Sequence, residues 1–361
     1  MLETFMCSFN YNKYQMKSIL NYTQEELVAW CETNKFPKFR AKQILTEIYS
    51  SRKFDFQEMT SLPKELRTIL DEQFFILDAV KAKDFVSADG TVKFLFEFHS
   101  GRAVETVLIP QRDSDNVTIC VSSQQGCKLD CKFCATGKLG FTGNLKASEI
   151  ITQILLSEDL SGKKISNVVF MGMGDPLDNY NQVVKALRIL IKEQELFGKN
   201  RITLSTAGFP DKIKELADTD LNIKIALSLH SPQQPRRETI MPTAVKWRLP
   251  ELIKALEYYN KQTKQVITFE YILFDKFNNS DDDAMALRKI CSHFQSKINL
   301  IQYHNIDFTG YTSNLVGANE AQLNSFAMNL RKLGIDVFIR KSAGEDIAAA
   351  CGQLAYSEMG E

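Results

Sequence analysis

The chain has 361 residues, 44% hydrophobic and 24% charged, which is ordinary globular usage and long enough for one large domain with a smaller one. Lys plus Arg and Asp plus Glu both number 44, so net charge makes no case for a polyanionic partner, and any nucleic-acid surface must come from local clustering. The N-terminus lacks the apolar core of a secretion signal and no apolar run is long enough to span a membrane. The eight cysteines therefore read as reduced thiols of a cytoplasmic protein.

Residues 1–80 read as a helical accessory domain balanced in charge, with 10 Lys or Arg against 11 Asp or Glu. Within it, NKFPKFRAKQI (34–44) gathers Lys35, Lys38, Arg40 and Lys42 around Phe36 and Phe39. Cations interleaved with aromatics suit phosphate neutralisation and base stacking. On composition alone, a solvated helix start with two core phenylalanines is the plainer reading. From 81 to 112 the period changes. TVKFLFEF alternates, with Val92, Phe94, Phe96 and Phe98 on one face, between the turn signals ADG (88–90) and SGR (100–102). This predicts a small antiparallel unit of three strands.

From 113 to 345 the pattern is strand, loop, helix, repeated. The apolar strands are NVTICVSS (116–123), NVVFMGM (167–173), RITLSTA (201–207), IKIALSL (223–229), VITFEYIL (266–273) and INLIQYH (298–304). Amphipathic stretches such as SEIITQILLSEDL, NQVVKALRILIKE, PELIKALEYYNKQ and EAQLNSFAMNLRKLG lie between them, the last ending on the helix-stopping Gly334. Six βα units predict an α/β fold, an open, partial (β/α)6 barrel with helices outside, and a doubly wound sheet is the alternative. Residues 346–361 remain as a C-terminal tail.

Function in parallel α/β architectures collects after the carboxyl ends of strands. There the sequence places GCKLDCKFCATG (126–137), GMGDP (172–176), STAG (205–208), SLH (228–230) and HNID (304–307). The first of these puts Cys127, Cys131 and Cys134 in a C-x₃-C-x₂-C run without a fourth ligand nearby. Structural metal sites usually close with four protein ligands. A zinc knuckle would need one of His99, His230, His293 or His304, none of which stands at knuckle spacing. Three thiolates on an iron–sulfur cluster leave one iron open to a small molecule.

This run resembles the cluster motif of radical S-adenosylmethionine (SAM) enzymes. More narrowly, CVSSQQGCKLDCKFCATG (120–137) is similar to the RlmN/Cfr family of RNA adenosine-C methyltransferases. The likeness continues through VVFMGMGDPLDNY, ALSLHSP, MPTAVKW, TFEYIL, INLIQYHN and GEDIAAACGQL, and reaches back to FRAKQI and MTSLPKELR. The resemblance implies a partial radical SAM barrel whose Cys127, Cys131 and Cys134 hold a [4Fe-4S] cluster. The open iron would chelate the methionine moiety of SAM, of which two are used per turnover. Gly174 and Asp175, Ser205, Ser228, Leu229, His230 and Asn305 match the family's SAM-contacting positions. Met171 and Met173 read as core packing.

Asp175 stands where the family has Glu. A carboxylate drawn back by about 1.5 Å loses a close charge-assisted contact unless backbone or water compensates, a loss on the order of 1–3 kcal/mol. The expectation is weaker SAM binding without a change of reaction. Cys351 matches the cysteine that becomes S-methylcysteine. Cys120 matches the thiol that resolves the protein–RNA adduct, which leaves a disulfide. Glu105, in AVETVLIP, matches the proton acceptor. Cys7, Cys31 and Cys291 read as structural. The implied partners are 23S rRNA, with certain tRNAs as an open second substrate, and an external electron donor such as flavodoxin, for a monomer with no membrane association. The Pro and Asn-Tyr of GDPLDNY fit the RlmN pattern, with C2 of adenine as target. A Cfr-type C8 enzyme and a non-catalytic RNA-binding protein with a structural metal are the rival readings.

Overall fold

A computed structural model describes residues 16–111, 114–311 and 314–355. Cys7 lies outside them. Strand β1 (Lys17–Ser18) leads into α1 (Gln24–Thr33), α2 (Phe39–Tyr49) and α3 (Lys64–Gln73), and pairs in parallel with β2 (Phe74–Phe75), which follows α3. Helix α1 begins on a capping box: Thr23 Oγ1 accepts from Glu26 N at 3.1 Å and the Glu26 carboxylate accepts from Thr23 N at 2.7 Å. The three helices bury Leu27, Ile44, Ile48, Leu66 and Leu70 against one another. Glu26 reaches across to Lys185 (2.9 Å), and Arg52 to Glu158, fastening the helical region to the barrel helices. The two phenylalanines of the basic stretch part company. Phe36 packs on the core, while Phe39 is 56% exposed with the Arg40 guanidinium 4.8 Å above its ring.

The alternation at 81–112 becomes an antiparallel meander of β3 (Ala79–Val86), β4 (Val92–Phe98) and β5 (Ala103–Pro110). It does not stand apart, because β5 pairs antiparallel with the first barrel strand, β6 (Val117–Cys120). The chain continues through β7 (Gln124–Gly126), α4 (Ala135–Lys138), β8 (Phe141–Asn144), α5 (Ala147–Ser161), β9 (Asn167–Phe170), α6 (Tyr180–Arg188), β10 (Ile202–Thr206) and α7 (Pro210–Ala217). Then come β11 (Lys224–Ser228), α8 (Gln234–Ile240), α9 (Leu249–Thr263), β12 (Ile267–Leu273), α10 (Asp281–Cys291), β13 (Ser296–Gln302), α11 (Glu320–Lys332) and β14 (Asp336–Arg340).

The main sheet has the order β14-β13-β12-β11-β10-β9-β6-β5-β4-β3, parallel from β6 to β14, while β7 and β8 pair antiparallel with each other. The six βα units are present, and β14 adds a seventh parallel strand that the hydrophobic pattern hid. DVFIR has polar ends and only three apolar residues, and its Phe338 is 51% exposed. Central strands read the other way: all seven residues of β12 are buried, as expected for a strand covered on both faces.

Candidate active site

Pairing register sets one face of the sheet as the floor of the site. Lys93 on β4 stands opposite Val107 on β5, Val107 opposite Cys120 on β6, and Cys120 opposite Val169 on β9. Residues opposite one another share a face, and so do residues two apart along a strand. Glu105 therefore projects on the same side as Lys93 and Cys120. Its two oxygens are both engaged: Lys93 Nζ lies 2.9 Å from Oε1, and the N–H of Ala355 donates to Oε2 at 2.8 Å. Both charged side chains are almost fully buried, so each is the other's counter-ion. Cys120 ends β6, and burial, reinforced by the charge of Cys351, pushes its thiol up to about 12. Arg340, at the end of β14, opposes that shift. Its own pKa is raised first by Cys351 and then by Glu270 and Cys120. Cys120, Cys351 and Arg340 therefore form one electrostatic group.

The cysteine run is a loop between β7 and α4. Cys127 N donates to Gly140 O at 2.8 Å, and Lys132 N to Ile240 O at 2.9 Å, fixing both ends of the Cys127–Cys134 segment to neighbours. All three thiols pack against Leu129, Phe133, Ile240, Met241 and Phe274. Burial and the nearby Cys134 push Cys127 up to about 12, and burial with the charges of Cys134 and Cys127 raises Cys131 well above its ordinary value. Thiolates held this way call for a strongly cationic partner. Three thiolates with no fourth ligand in the run fit a cubane cluster, which bonds each cysteine to a different iron and leaves one iron open.

The positions matched to SAM contacts lie at or beyond the carboxyl ends of β9, β10, β11 and β13. Gly174 has φ +85°, and a Cβ there would lie 2.4 Å from Cβ of Gln124, so only glycine fits. Asp175 is buried, and its oxygens accept from Leu177 N (2.9 Å), Ala207 N (2.7 Å) and Thr206 Oγ1 (3.0 Å to each oxygen). Burial outweighs these donors and pushes its pKa up to about 6. The short carboxylate is thus pinned to the end of β10. Ser205 and Ser228 are half-buried at the ends of β10 and β11. Leu229 is fully buried, so a ligand could meet only its backbone, whose N–H donates to Glu270 O at 3.0 Å. His230 adopts φ 51°, accepts Ile272 N on Nδ1 at 3.1 Å, and meets the Phe133 ring edge-on at 4.5 Å. Burial, helped by the charge of Arg237, lowers its pKa to about 3, so it is neutral and braces the cysteine loop. Asn305 is exposed after β13.

The tail carrying Cys351 is tied to both halves of the site. Gly352 O accepts from Ala135 N at 2.7 Å, Leu354 O from Thr136 Oγ1 at 2.6 Å, and Ala355 N donates to Glu105. Gly352 has φ +85° and a Cβ there would lie 3.1 Å from Phe133 O, so the close approach to the cysteine loop requires glycine. Lys93, Thr136, Arg237 and Arg340 escaped the sequence reading. Only Lys93 left a signal, a lysine inside an apolar strand beside another strand bearing a lone glutamate.

A partial barrel with three thiols in the loop beyond its first strand defines a radical SAM enzyme, and the model of the Radical SAM superfamily matches residues 121–287. The model of the ribosomal RNA large subunit methyltransferase N-terminal domain matches residues 17–76. The chain is 42% identical over 341 residues to a probable dual-specificity RNA methyltransferase RlmN of Clostridium novyi, covering 94% of this chain and 98% of that protein. It is 41% identical over 357 residues to a protein of the same description from Chloroherpeton thalassium, covering 96% and 95%. The crystal structure of a radical SAM methyltransferase from Sphaerobacter thermophilus superposes with a TM-score of 0.87 at 35% identity, covering 94% of this chain and 99% of that one. The chain belongs to the RlmN family of radical SAM RNA methyltransferases, enzymes that use a [4Fe-4S] cluster and SAM. No helix among the described residues is long and apolar enough to cross a membrane.

Proposed function

We propose that this chain methylates C2 of a specific adenosine in 23S rRNA, with certain tRNAs as second substrates, through a methyl group carried on Cys351. The observation that carries the reading is the placement of Cys351. Its segment is bonded to the cysteine loop through Ala135 and Thr136 and to Glu105 through Ala355, with Cys120 in electrostatic contact. The relatives' description as dual-specificity RNA methyltransferases supports two RNA classes.

Adenine C2 is electron-poor and has no lone pair, so direct methyl-cation transfer is unsuited to it. A carbon radical on a protein-held methyl can add instead. Cys127, Cys131 and Cys134 would hold the cluster, and Asp175 with Ser205, Ser228 to His230 and Asn305 would bound the SAM site. The cluster with SAM, one SAM donating the methyl and a second cleaved reductively, would supply the one-electron chemistry, the electron coming from a low-potential donor such as flavodoxin. The residues of the chain then divide the remaining work. Cys351 sulfur carries the carbon that bonds to C2. Glu105 takes the C2 proton, which requires the Ala355 N–H to release Oε2. Regaining an aromatic ring also releases one electron, which the oxidised cluster would take up. Cys120, as thiolate, then attacks the Cys351 sulfur; the electron pair of the broken sulfur–carbon bond goes to the carbon, which takes a proton to become the methyl group, leaving a Cys120–Cys351 disulfide for an external thiol to reduce. The enzyme acts as a monomer in the cytoplasm.

Substitution separates these steps. Cys131→Ala should lose iron and form no deoxyadenosine under reducing conditions. Cys351→Ala should form no RNA adduct. Cys120→Ala should accumulate protein covalently bound to RNA, a band that ribonuclease collapses, and the double variant should show none. Normal turnover by Cys120→Ala without adduct would return Cys120 to a buried strand residue.

A further inference from the structure

Arg237, on helix α8, is the largest fully buried side chain among the described residues, and none of the steps above uses it. Its Nε donates to Leu229 O at 3.2 Å, and its Nη2 to Ala207 O at 2.7 Å and Ser228 O at 3.1 Å. Those carbonyls lie at or just beyond the carboxyl ends of β10 and β11, so the guanidinium stitches two strand ends together. Its Nη1 is buried and has no acceptor among the described residues. All its hydrogen-bond partners are neutral carbonyls, whereas its neighbour Arg236 holds Asp283 at 3.0 Å. A buried guanidinium solvated only by carbonyls carries a charge that is costly unless an anion answers it.

The end of its helix is seated on the cysteine loop. Helix α8 ends at Ile240, whose carbonyl accepts Lys132 N, the residue after Cys131. Ile240 and Met241 pack with Cys131 in one cluster. Ala207, whose carbonyl accepts from Arg237 Nη2, belongs to that same cluster, so the guanidinium lies beside the packing that encloses the loop.

We propose that Arg237 is a positioning residue for the cluster, its unpaired Nη1 donating a charge-assisted hydrogen bond to sulfur of the bound cluster on the Cys131 side so that the negative charge of the reduced cluster is stabilised from helix α8. Hydrogen bonds to cluster sulfurs and nearby charge are among the factors that set iron–sulfur potentials. A fixed cation raises the potential, making the electron easier to accept. This inference rests on Cys131 being a cluster ligand.

Two variants and one labelled protein test it in anaerobically reconstituted full-length chain. Redox titration followed by electron paramagnetic resonance, without SAM, should show a cluster of unchanged iron content in Arg237→Gln with a more negative midpoint potential. The reduced-to-oxidised ratio at a given potential should fall about tenfold, which is about 59 mV for one electron. Arg237→Lys, which keeps the charge, should shift less. In unsubstituted protein grown on ¹⁵N-arginine, pulsed resonance of the reduced cluster should detect a ¹⁵N coupling that Arg237→Lys loses. That measurement decides the matter even if Arg237→Gln does not fold. Absence of the coupling overturns the inference, and so does an unchanged potential in a folded Arg237→Gln protein. An unchanged potential with SAM affinity reduced about tenfold would instead assign Nη1 to the SAM carboxylate. Failure of the underlying ligand assignment looks different: Cys131→Ala would retain its iron.

Discussion

The hydroxyl of Thr136, two residues past Cys134, donates to the carbonyl of Leu354, three residues past Cys351, at 2.6 Å. This bond and the Ala135–Gly352 bond make the position of the Cys351 segment, which is proposed to carry the methyl group, depend on the cysteine loop. Holding reacting groups in register is worth much of a catalytic barrier, and small displacements are costly.

Thr136→Val keeps the volume of the side chain and removes the donor, leaving Leu354 O without its partner. The stability loss should be modest, about 1 kcal/mol. Iron content and reductive cleavage of SAM should persist, while S-methylation of Cys351, read by mass spectrometry of the digested protein, should fall several-fold. Faster amide exchange over residues 350–355 should accompany the loss. Unchanged methylation would mean that the tail holds its position without the loop.

The buried pair Lys93–Glu105 makes a sharper prediction. Lys93→Met strands the Glu105 carboxylate without its counter-ion and should cost about 3–5 kcal/mol in denaturant unfolding. Adding Glu105→Leu removes the stranded charge, so the double variant should regain much of that stability. It should nevertheless give no methylated RNA, because the proposed proton acceptor is gone. A double variant as unstable as Lys93→Met would show that packing, and not charge, holds this part of the sheet.

What the sequence disclosed follows from the range of the interactions involved. The meander from Ala79 to Pro110 was legible because alternation and two glycine turns are local, and so were the helices flanked by caps and apolar stripes. Strand β14 was not, because DVFIR draws its place from pairing with β13 across a whole helix. The cysteine loop announced itself by spacing. Arg237 and Arg236 are adjacent and chemically identical, and only the packing of α8 decides which is buried. Likewise Thr136, Lys93 and Arg340 matter through partners more than 10 residues away, Leu354, Glu105 and Glu270, and no local pattern encodes that. The split fate of Phe36 and Phe39 has the same origin. The expectation of two core phenylalanines holds for Phe36 and fails for Phe39.

Asp175 gives the last prediction. Its carboxyl ordinarily titrates near 3.8, and burial raises it to about 6 in the fold. Between these values the folded chain binds more protons than the unfolded one, so the protonated form stabilises the fold below about pH 3.8. That contribution, up to about 3 kcal/mol, is lost as pH rises through 6. Ligand binding runs in the opposite direction. On the proposed assignment of Asp175 to the SAM site, the ammonium of the SAM methionine would be attracted to the ionised carboxylate, so affinity should be full above pH 6 and fall as pH drops below it, up to about tenfold per unit. The donors from Thr206 and Ala207 hold both oxygens at the end of β10, so the charge is presented at a fixed point although the side chain is shorter than glutamate. Asp175→Asn has no charge to gain or lose. It should bind SAM about tenfold more weakly than the parent at pH 7.5 and show a flat profile down to pH 5.5. Anaerobic equilibrium dialysis without reductant measures both curves. A parent profile as flat as that of the variant would remove Asp175 from the SAM site and leave it as a lock between the second and third strands of the barrel.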